Sequence, residues 1–275
     1  MMISVLVLLI PALTLAAFGS LLATWVHMAN HPDKYTEKWA NRISWFSFGL
    51  YFVWILMLSI YQRQIPFITV GQLAALQGFL IWTAHLYIQR KIEQGILVVL
   101  PLLAVVFMIL ISIILGTQNA IAPEMFRGFW VGLHIAFSMG GVALLLGTGV
   151  YGMGYLVLHQ RIKKRKFGPF YSLMPSLGDL NYLRSTTLVT GWSLISAGMV
   201  AGTIWMLKHT DFYSLLKGHL GIALVFWVII AIVSAASKFK LLGQRKLAAF
   251  SVLLSAVIFV LIVISIIVTY PGESV

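Results

Sequence analysis

Long apolar runs separated by short polar breaks repeat along the whole chain. A helix needs about 20 mostly apolar residues to cross the hydrocarbon core of a bilayer, and eight runs meet or approach that length. They are predicted at 3–28, 42–62, 71–89, 95–116, 128–159, 185–207, 218–238 and 247–270. The pattern therefore predicts an all-α fold: a polytopic bundle of eight transmembrane helices that forms a single integral membrane domain over residues 1–275.

Residues 167–184, between the fifth and sixth runs, differ from the other connections. This stretch contains two prolines and ends at Arg184, and its leucines recur at helical spacing: Leu173, Leu177, Leu180 and Leu183. An apolar stripe on an otherwise polar segment is typical of a helix lying at the membrane surface. We predict a short interfacial helix here, separate from the span at 185–207.

Composition agrees with this pattern and excludes other classes. Of 275 residues, 60% are hydrophobic and only 9% are charged, whereas a soluble domain carries about 25% charged residues. The mean hydropathy is +0.97, so a large aqueous domain is excluded. The chain has no cysteine, which excludes a disulfide scaffold, a Cys-ligated metal and thiol chemistry. The first basic residue is Lys34, so we expect that the first run is not a cleavable signal peptide.

The basic residues segregate by loop. The loops after runs one, three, five and seven hold 15 of the 19 Lys and Arg residues, with Arg184 counted in the loop after run five. The other loops hold 4, and the tails hold none. Because cytoplasmic loops collect positive residues, both termini are predicted outside. The net charge of +12 then describes a basic inner face attracted to anionic membrane lipids, without a nucleic-acid partner.

Acidic residues are nearly absent from the predicted spans. Glu124 and Asp211 fall in outer loops and Glu273 in the tail. An ion-coupled transporter normally needs a carboxylate inside the membrane, so a small-solute transporter is the disfavoured third hypothesis. No phosphate loop, nucleophile elbow or zinc-helix motif appears, and we predict that the chain is not an enzyme.

Histidine and tryptophan are the polar residues left near membrane depth. His134 lies two turns into span five from the outer side, and His209 and His219 lie in or beside the outer loop after span six. A neutral imidazole can ligate iron, but it can equally hydrogen-bond water or a carbonyl. Four tryptophans lie near the outer loops: Trp130, Trp192, Trp205 and Trp227. They fit either an aromatic belt at the headgroups or a platform for a planar cofactor.

Four segments, taken in order, resemble the cytochrome c assembly family of integral membrane proteins, which includes the CcsA, CcmC and HemX types. Residues 133–138 (LHIAFS) resemble the family's Leu-His-(Ile/Val) helix start, and residues 175–180 (PSLGDL) its Pro-x-Leu-(Glu/Asp) segment. Residues 191–205 (GWSLISAGMVAGTIW) resemble the span that leads into its Trp-rich loop. Trp227 and residues 238–246 (KFKLLGQRK) resemble the span and Gly-x-Arg loop that follow.

The resemblance implies a haem-handling protein of the bacterial inner membrane, with haem b held in an outer-facing pocket. It implies His134 as the iron ligand, with His209 or His219 as the second ligand. It also implies Trp205, Trp192 and Trp227 as platform residues, and a cytochrome c maturation protein or a haem-biosynthesis enzyme as the partner. The Trp-rich loop is reduced, and Lys217 stands where an Asp is expected. The alternative is therefore a HemX-like regulatory or scaffolding protein that binds no haem.

Overall fold

A computed structural model describes residues 2–30, 34–62, 69–89, 95–115, 128–165, 174–207, 219–239 and 241–269. These residues form eight α-helices and no strand. The helices are α1 (Met2–Asn30), α2 (Lys34–Gln62), α3 (Val70–Gln89), α4 (Val99–Leu115), α5 (Phe129–Lys163), α6 (Leu177–Leu207), α7 (His219–Lys238) and α8 (Gln244–Thr269). A single 3-10 turn, Gly95–Val98, leads into α4.

Each predicted run coincides with a helix, so the all-α prediction is confirmed. Five helices are long and apolar enough to cross a membrane: α1, α2, α5, α6 and α8. Helix α4 and the stretch Leu224–Lys238 of α7 are apolar but shorter. Helix α5 has 35 residues, about 52 Å at 1.5 Å per residue, which exceeds a hydrocarbon core of about 30 Å. Its length matches the unusually long fifth run.

Helix α6 begins earlier than the sequence suggested. It runs without a break from Leu177 to Leu207, so the prediction of a separate interfacial helix ending at Arg184 is wrong for residues 177–184. Residues 167–173 lie outside the described residues. The helix start is fixed by Ser176, whose hydroxyl accepts from the Asp179 backbone N–H (3.1 Å) and donates to the Asp179 carboxylate (2.7 Å). This is the reciprocal arrangement of a capping box, and no proline interrupts the helix after it.

The helices fall into two compact units, α1–α4 in unit 1 and α5–α8 in unit 2. In unit 1, α1 packs on α2 and on α4, and α3 packs on α4. Its core holds the buried rings of Phe18, Tyr51, Trp54 and Trp82. The Tyr51 hydroxyl donates to the Ala75 carbonyl over 2.7 Å, so a polar group in the core joins α2 to α3. The single-domain prediction stays a prediction.

Unit 2 is organised around α5, which packs on α6 and on α8. Glycines let the backbones meet: a Cβ on Gly141 would lie 2.8 Å from the carbonyl oxygen of Gly191, and one on Gly152 would lie 2.9 Å from that of Ala248. Such small-residue contacts allow close van der Waals packing between membrane helices. The contacts run in opposite chain directions, so α5 is antiparallel to both α6 and α8.

This antiparallel packing collects the cations of unit 2 at one end, which we call the basic end. It comprises the C-terminal end of α5, the start of α6, the end of α7 and the start of α8. Every Lys and Arg described in unit 2 lies there: Arg161, Lys163, Lys164, Arg165, Arg184, Lys238, Arg245 and Lys246. His134 lies near the opposite end, so the polar features of unit 2 are divided between its two ends.

Candidate functional site

The imidazole of His134 lies between α5 and α6. It belongs to the second turn of α5 and is half-buried. Its Nδ1 lies 2.8 Å from the carbonyl oxygen of Gly198 on α6. A carbonyl oxygen can only accept, so Nδ1 carries the proton and donates it.

Two glycines of α6 give the His134 ring its position. A Cβ on Gly202 would lie 2.5 Å from the ring Nδ1 and 2.9 Å from Cε1. A Cβ on Gly198 would lie 3.0 Å from the backbone N of Ser138 and 3.3 Å from the His134 carbonyl oxygen. The Gly-x-x-x-Gly pair therefore brings α6 close to α5 and also leaves the space that the imidazole ring occupies.

The hydrogen bond to Gly198 determines what the ring can do chemically. With Nδ1 protonated, the neutral ring keeps its lone pair on Nε2. Histidines that ligate a metal through Nε2 typically donate their other ring N–H to a carbonyl or carboxylate. The contact uses one ring nitrogen only, so it fits both simple packing and iron ligation through Nε2.

The ligand groups around His134 suit haem better than a bare ion. In the described part of the chain, no group of three or more His, Cys, Asp or Glu side chains could hold a metal ion. A zinc site would require three or four such ligands. Haem brings four nitrogens of its own and needs one protein ligand on the proximal side, so a single oriented imidazole is sufficient.

Two of the predicted tryptophans pack against each other. The rings of Trp192 on α6 and Trp227 on α7 lie 5.6 Å apart at 31°. Trp227 Nε1 donates to the Ser196 hydroxyl over 2.7 Å, whereas the buried Nε1 of Trp192 has no hydrogen-bond partner within the described residues. The pair holds α7 against α6.

This tryptophan pair is not part of the His134 environment. Trp192 precedes Gly198 by six residues of α6, about 9 Å along the helix axis, and no contact joins the pair to the imidazole. Trp205 lies three residues beyond Gly202, on the same side of α6, and is half-buried. The structure therefore places Trp205 nearest to His134 along α6, with Trp192 and Trp227 deeper in the bundle.

The two remaining candidates cannot be placed beside His134. His209 lies outside the described residues, and His219 is the first residue of α7 with its side chain outside the description. The second haem ligand stays a prediction for both residues.

Arg184 is a feature that the sequence interpretation missed. Counted there as a loop residue, it is fully buried inside α6. Its guanidinium donates to Asn181 (2.8 Å), Gln244 (3.2 Å), Ser237 (3.3 Å) and Ser251 (3.3 Å). The acceptors belong to α6, α7 and α8, and all of them are neutral. Arg184 therefore fastens three helices together at the basic end without forming an ion pair in the described residues.

A sequence signal for this cluster existed in the polar residues of otherwise apolar helices. Ser237 and Ser251 interrupt the apolar faces of α7 and α8, and Asn181 stands three residues before Arg184, on the same side of α6. A buried Ser or Asn is retained where it hydrogen-bonds another polar group. Their coincidence near one end could have indicated a buried charge.

Comparison of the chain with protein-family models, curated proteins and solved structures finds no match. The resemblance to the cytochrome c assembly family therefore rests on the order of its sequence motifs. Function has to be argued from the His134 site and from the chemistry of unit 2.

Proposed function

We propose that the chain is a haem-handling membrane protein of the cytochrome c assembly type that binds haem b through His134. The observation that carries this proposal is the hydrogen bond from His134 Nδ1 to the Gly198 carbonyl. It leaves Nε2 as the coordinating nitrogen on a ring that α6 holds in one orientation. The order of motifs along the chain gives the proposal its second support.

The residues around His134 have separable roles. Gly198 fixes the tautomer, and Gly202 gives the ring its space. Phe129 and Trp130, whose rings lie 5.7 Å apart edge to face, give the start of α5 an apolar surface that can cover a planar ligand. Bound haem would supply an iron centre, and the chain would supply the axial nitrogen and the apolar surroundings. We assign no reaction to this site.

A HemX-like regulatory or scaffolding role is the second candidate. The observation that favours it is the concentration of cations at the basic end of unit 2, a surface suited to an acidic partner. In that case His134 serves only to pack α5 on α6. Absorption spectroscopy separates the two roles.

We expect the detergent-purified chain, reconstituted with haem, to show a Soret band that His134→Ala abolishes or shifts. The alanine removes the only described nitrogen that can reach iron at this end of α5. Gly202→Val should weaken haem binding about 10- to 100-fold, because its side chain occupies the space of the ring and displaces the ligand. Haem titration followed by absorbance, oxidised and reduced, measures both effects.

The matched control is His159→Ala, on the same helix at the basic end. His159 stacks on Tyr155 with the ring centroids 6.0 Å apart, far along α5 from His134. Its replacement should leave the spectrum unchanged. If the unsubstituted chain takes up no haem, or if His134→Ala retains the full spectrum, haem ligation by His134 is wrong and the regulatory role replaces it.

The proposal includes a topology of eight spans with both termini outside, in a bacterial inner membrane. Its support is the location of all described cations of unit 2 at one end, because positive residues favour the cytoplasmic side. The outward-facing end of unit 2 is then the end that carries His134.

Single cysteines can test this topology, because the chain has none of its own. In intact cells, we expect a membrane-impermeant maleimide to label Gly128→Cys, which precedes α5. Lys164→Cys, at the basic end, should react only after the cells are permeabilised. The reverse pattern would show that unit 2 has the opposite orientation, and equal labelling of both sites would rule out a span between them.

A further inference from the structure

A groove opens between α5 and α8 at the basic end of unit 2. It is lined by Leu156 and Gln160 of α5 and by Arg245, Lys246 and Ala249 of α8. Its volume is about 420 Å³, which lies within the range of small-molecule sites, about 300–1,000 Å³. The groove is thus large enough for a headgroup with part of a chain.

The lining changes from polar to apolar along the helix axes. Gln160 lies one turn closer to the basic end than Leu156, and on α8 Arg245 and Lys246 lie one turn closer to it than Ala249. On both helices the charged or amide group is therefore outermost and the apolar group is deeper. This order matches an amphiphile whose polar head lies at the membrane surface.

The cations of the groove have no acidic neighbour in the described residues. Asp179 is the only acid described in unit 2, and its carboxylate accepts from Ser176. Arg245 and Lys246 form no ion pair in the described part of the chain, and both are exposed. An anion placed here would meet two cations that nothing described neutralises.

A third positive charge lies behind the first turn of α8. Arg184 donates to Gln244, the residue immediately before Arg245, and its own acceptors are neutral. Its charge is therefore not cancelled by a described carboxylate, and at low dielectric it acts over a longer distance than in water. The buried guanidinium adds to the positive potential at the groove and fixes the turn that presents Arg245 and Lys246.

We propose that this groove binds an anionic phospholipid. The phosphate lies on Arg245 and Lys246, the amide of Gln160 donates to a headgroup oxygen, and the upper part of an acyl chain contacts Leu156 and Ala249. Basic pockets between membrane helices recognise anionic headgroups in this way. The proposal requires that unit 2 lies in a membrane but is independent of haem binding at His134.

Native mass spectrometry of the purified full-length chain, titrated with phosphatidylglycerol, tests the groove. Removing both cations in the double variant Arg245→Gln, Lys246→Gln should raise the dissociation constant about thirtyfold, at about fivefold for each cation near a membrane surface. Ala249→Phe keeps both charges but fills the apolar part of the groove, and it should weaken lipid binding as well. All three side chains are exposed, so neither variant removes a core contact.

The matched control is the double variant Lys163→Gln, Lys164→Gln, which removes two exposed cations at the same end but outside the groove. It should change the affinity less than twofold. An equal loss in this control would show that charge alone, and not the groove, attracts the lipid. Equal binding of phosphatidylcholine, displacement by millimolar inorganic phosphate, or an unaffected Ala249→Phe would each overturn the lipid assignment.

Discussion

Gly141→Ala should lower the free energy of unfolding of unit 2 by about 2 to 3 kcal/mol, near the upper end of the usual cost of overpacking. The added methyl carbon would lie 2.8 Å from the carbonyl oxygen of Gly191 and 3.0 Å from the backbone N of Ile195. Both are main-chain atoms of α6, which cannot move aside without shifting the helix. Denaturation of the purified chain by increasing the fraction of dodecyl sulfate in mixed micelles, followed by circular dichroism, measures this loss.

Gly147→Ala, on the same helix, is the control for Gly141→Ala. A Cβ at Gly147 would meet only a ring carbon of Tyr151 at 3.9 Å, an ordinary van der Waals contact. Alanine has the higher helix propensity, by about 1 kcal/mol, so this variant should be unchanged or slightly more stable. If both substitutions acted in the same direction, the close approach of α5 and α6 would not determine the effect.

Trp82→Ala should destabilise unit 1 by about 3 to 5 kcal/mol, the range for removing a large buried aromatic side chain. Trp82 is fully buried. Its ring meets Phe18 edge-on with centroids 4.9 Å apart and lies 4.5 Å from the ring of His85. Helices in lipid are held together mainly by such packing contacts, so the cavity left behind costs most of the loss. The same micelle denaturation, with α1–α4 followed by hydrogen exchange, measures it.

Trp45→Ala makes the same chemical change on the surface of unit 1. Its side chain is 38% exposed, and the gap is open to the surroundings. A cost below about 1 kcal/mol is expected. A cost comparable to that of Trp82→Ala would mean that burial in the core does not govern the stability of this unit.

The helices of this chain could be predicted because each one is a long apolar run. Span limits agree with helix ends within a few residues for α3 and α5, where polar residues or a Gly-containing turn flank the run. The start of α6 could not be predicted in the same way, because Arg184 made residues 177–184 resemble a surface segment. The charge is tolerated inside the helix only because neutral acceptors from three helices surround it, and two of those helices follow later in the chain.

The candidate site was predictable in its identity but not in its surroundings. His134 could be selected because few other residues at membrane depth can ligate iron. Its orientation could not, because the acceptor is the main-chain carbonyl of Gly198, 64 residues away, and every residue has a carbonyl. The Gly198–Gly202 pair was interpreted as a helix contact alone, since spacing shows that two helices can approach but not which side chain fills the space between them.

The acceptors of Arg184 also have a consequence for the order in which unit 2 can assemble during synthesis. Helix α6 leaves the ribosome before Ser237, Gln244 and Ser251 have been translated, so Asn181 is then its only side-chain acceptor of the final set. An isolated arginine in a nascent apolar helix opposes insertion by the translocon. The helix becomes fully compatible with the bilayer interior only when α7 and α8 arrive, and the last two helices to be made therefore complete the insertion of an earlier one.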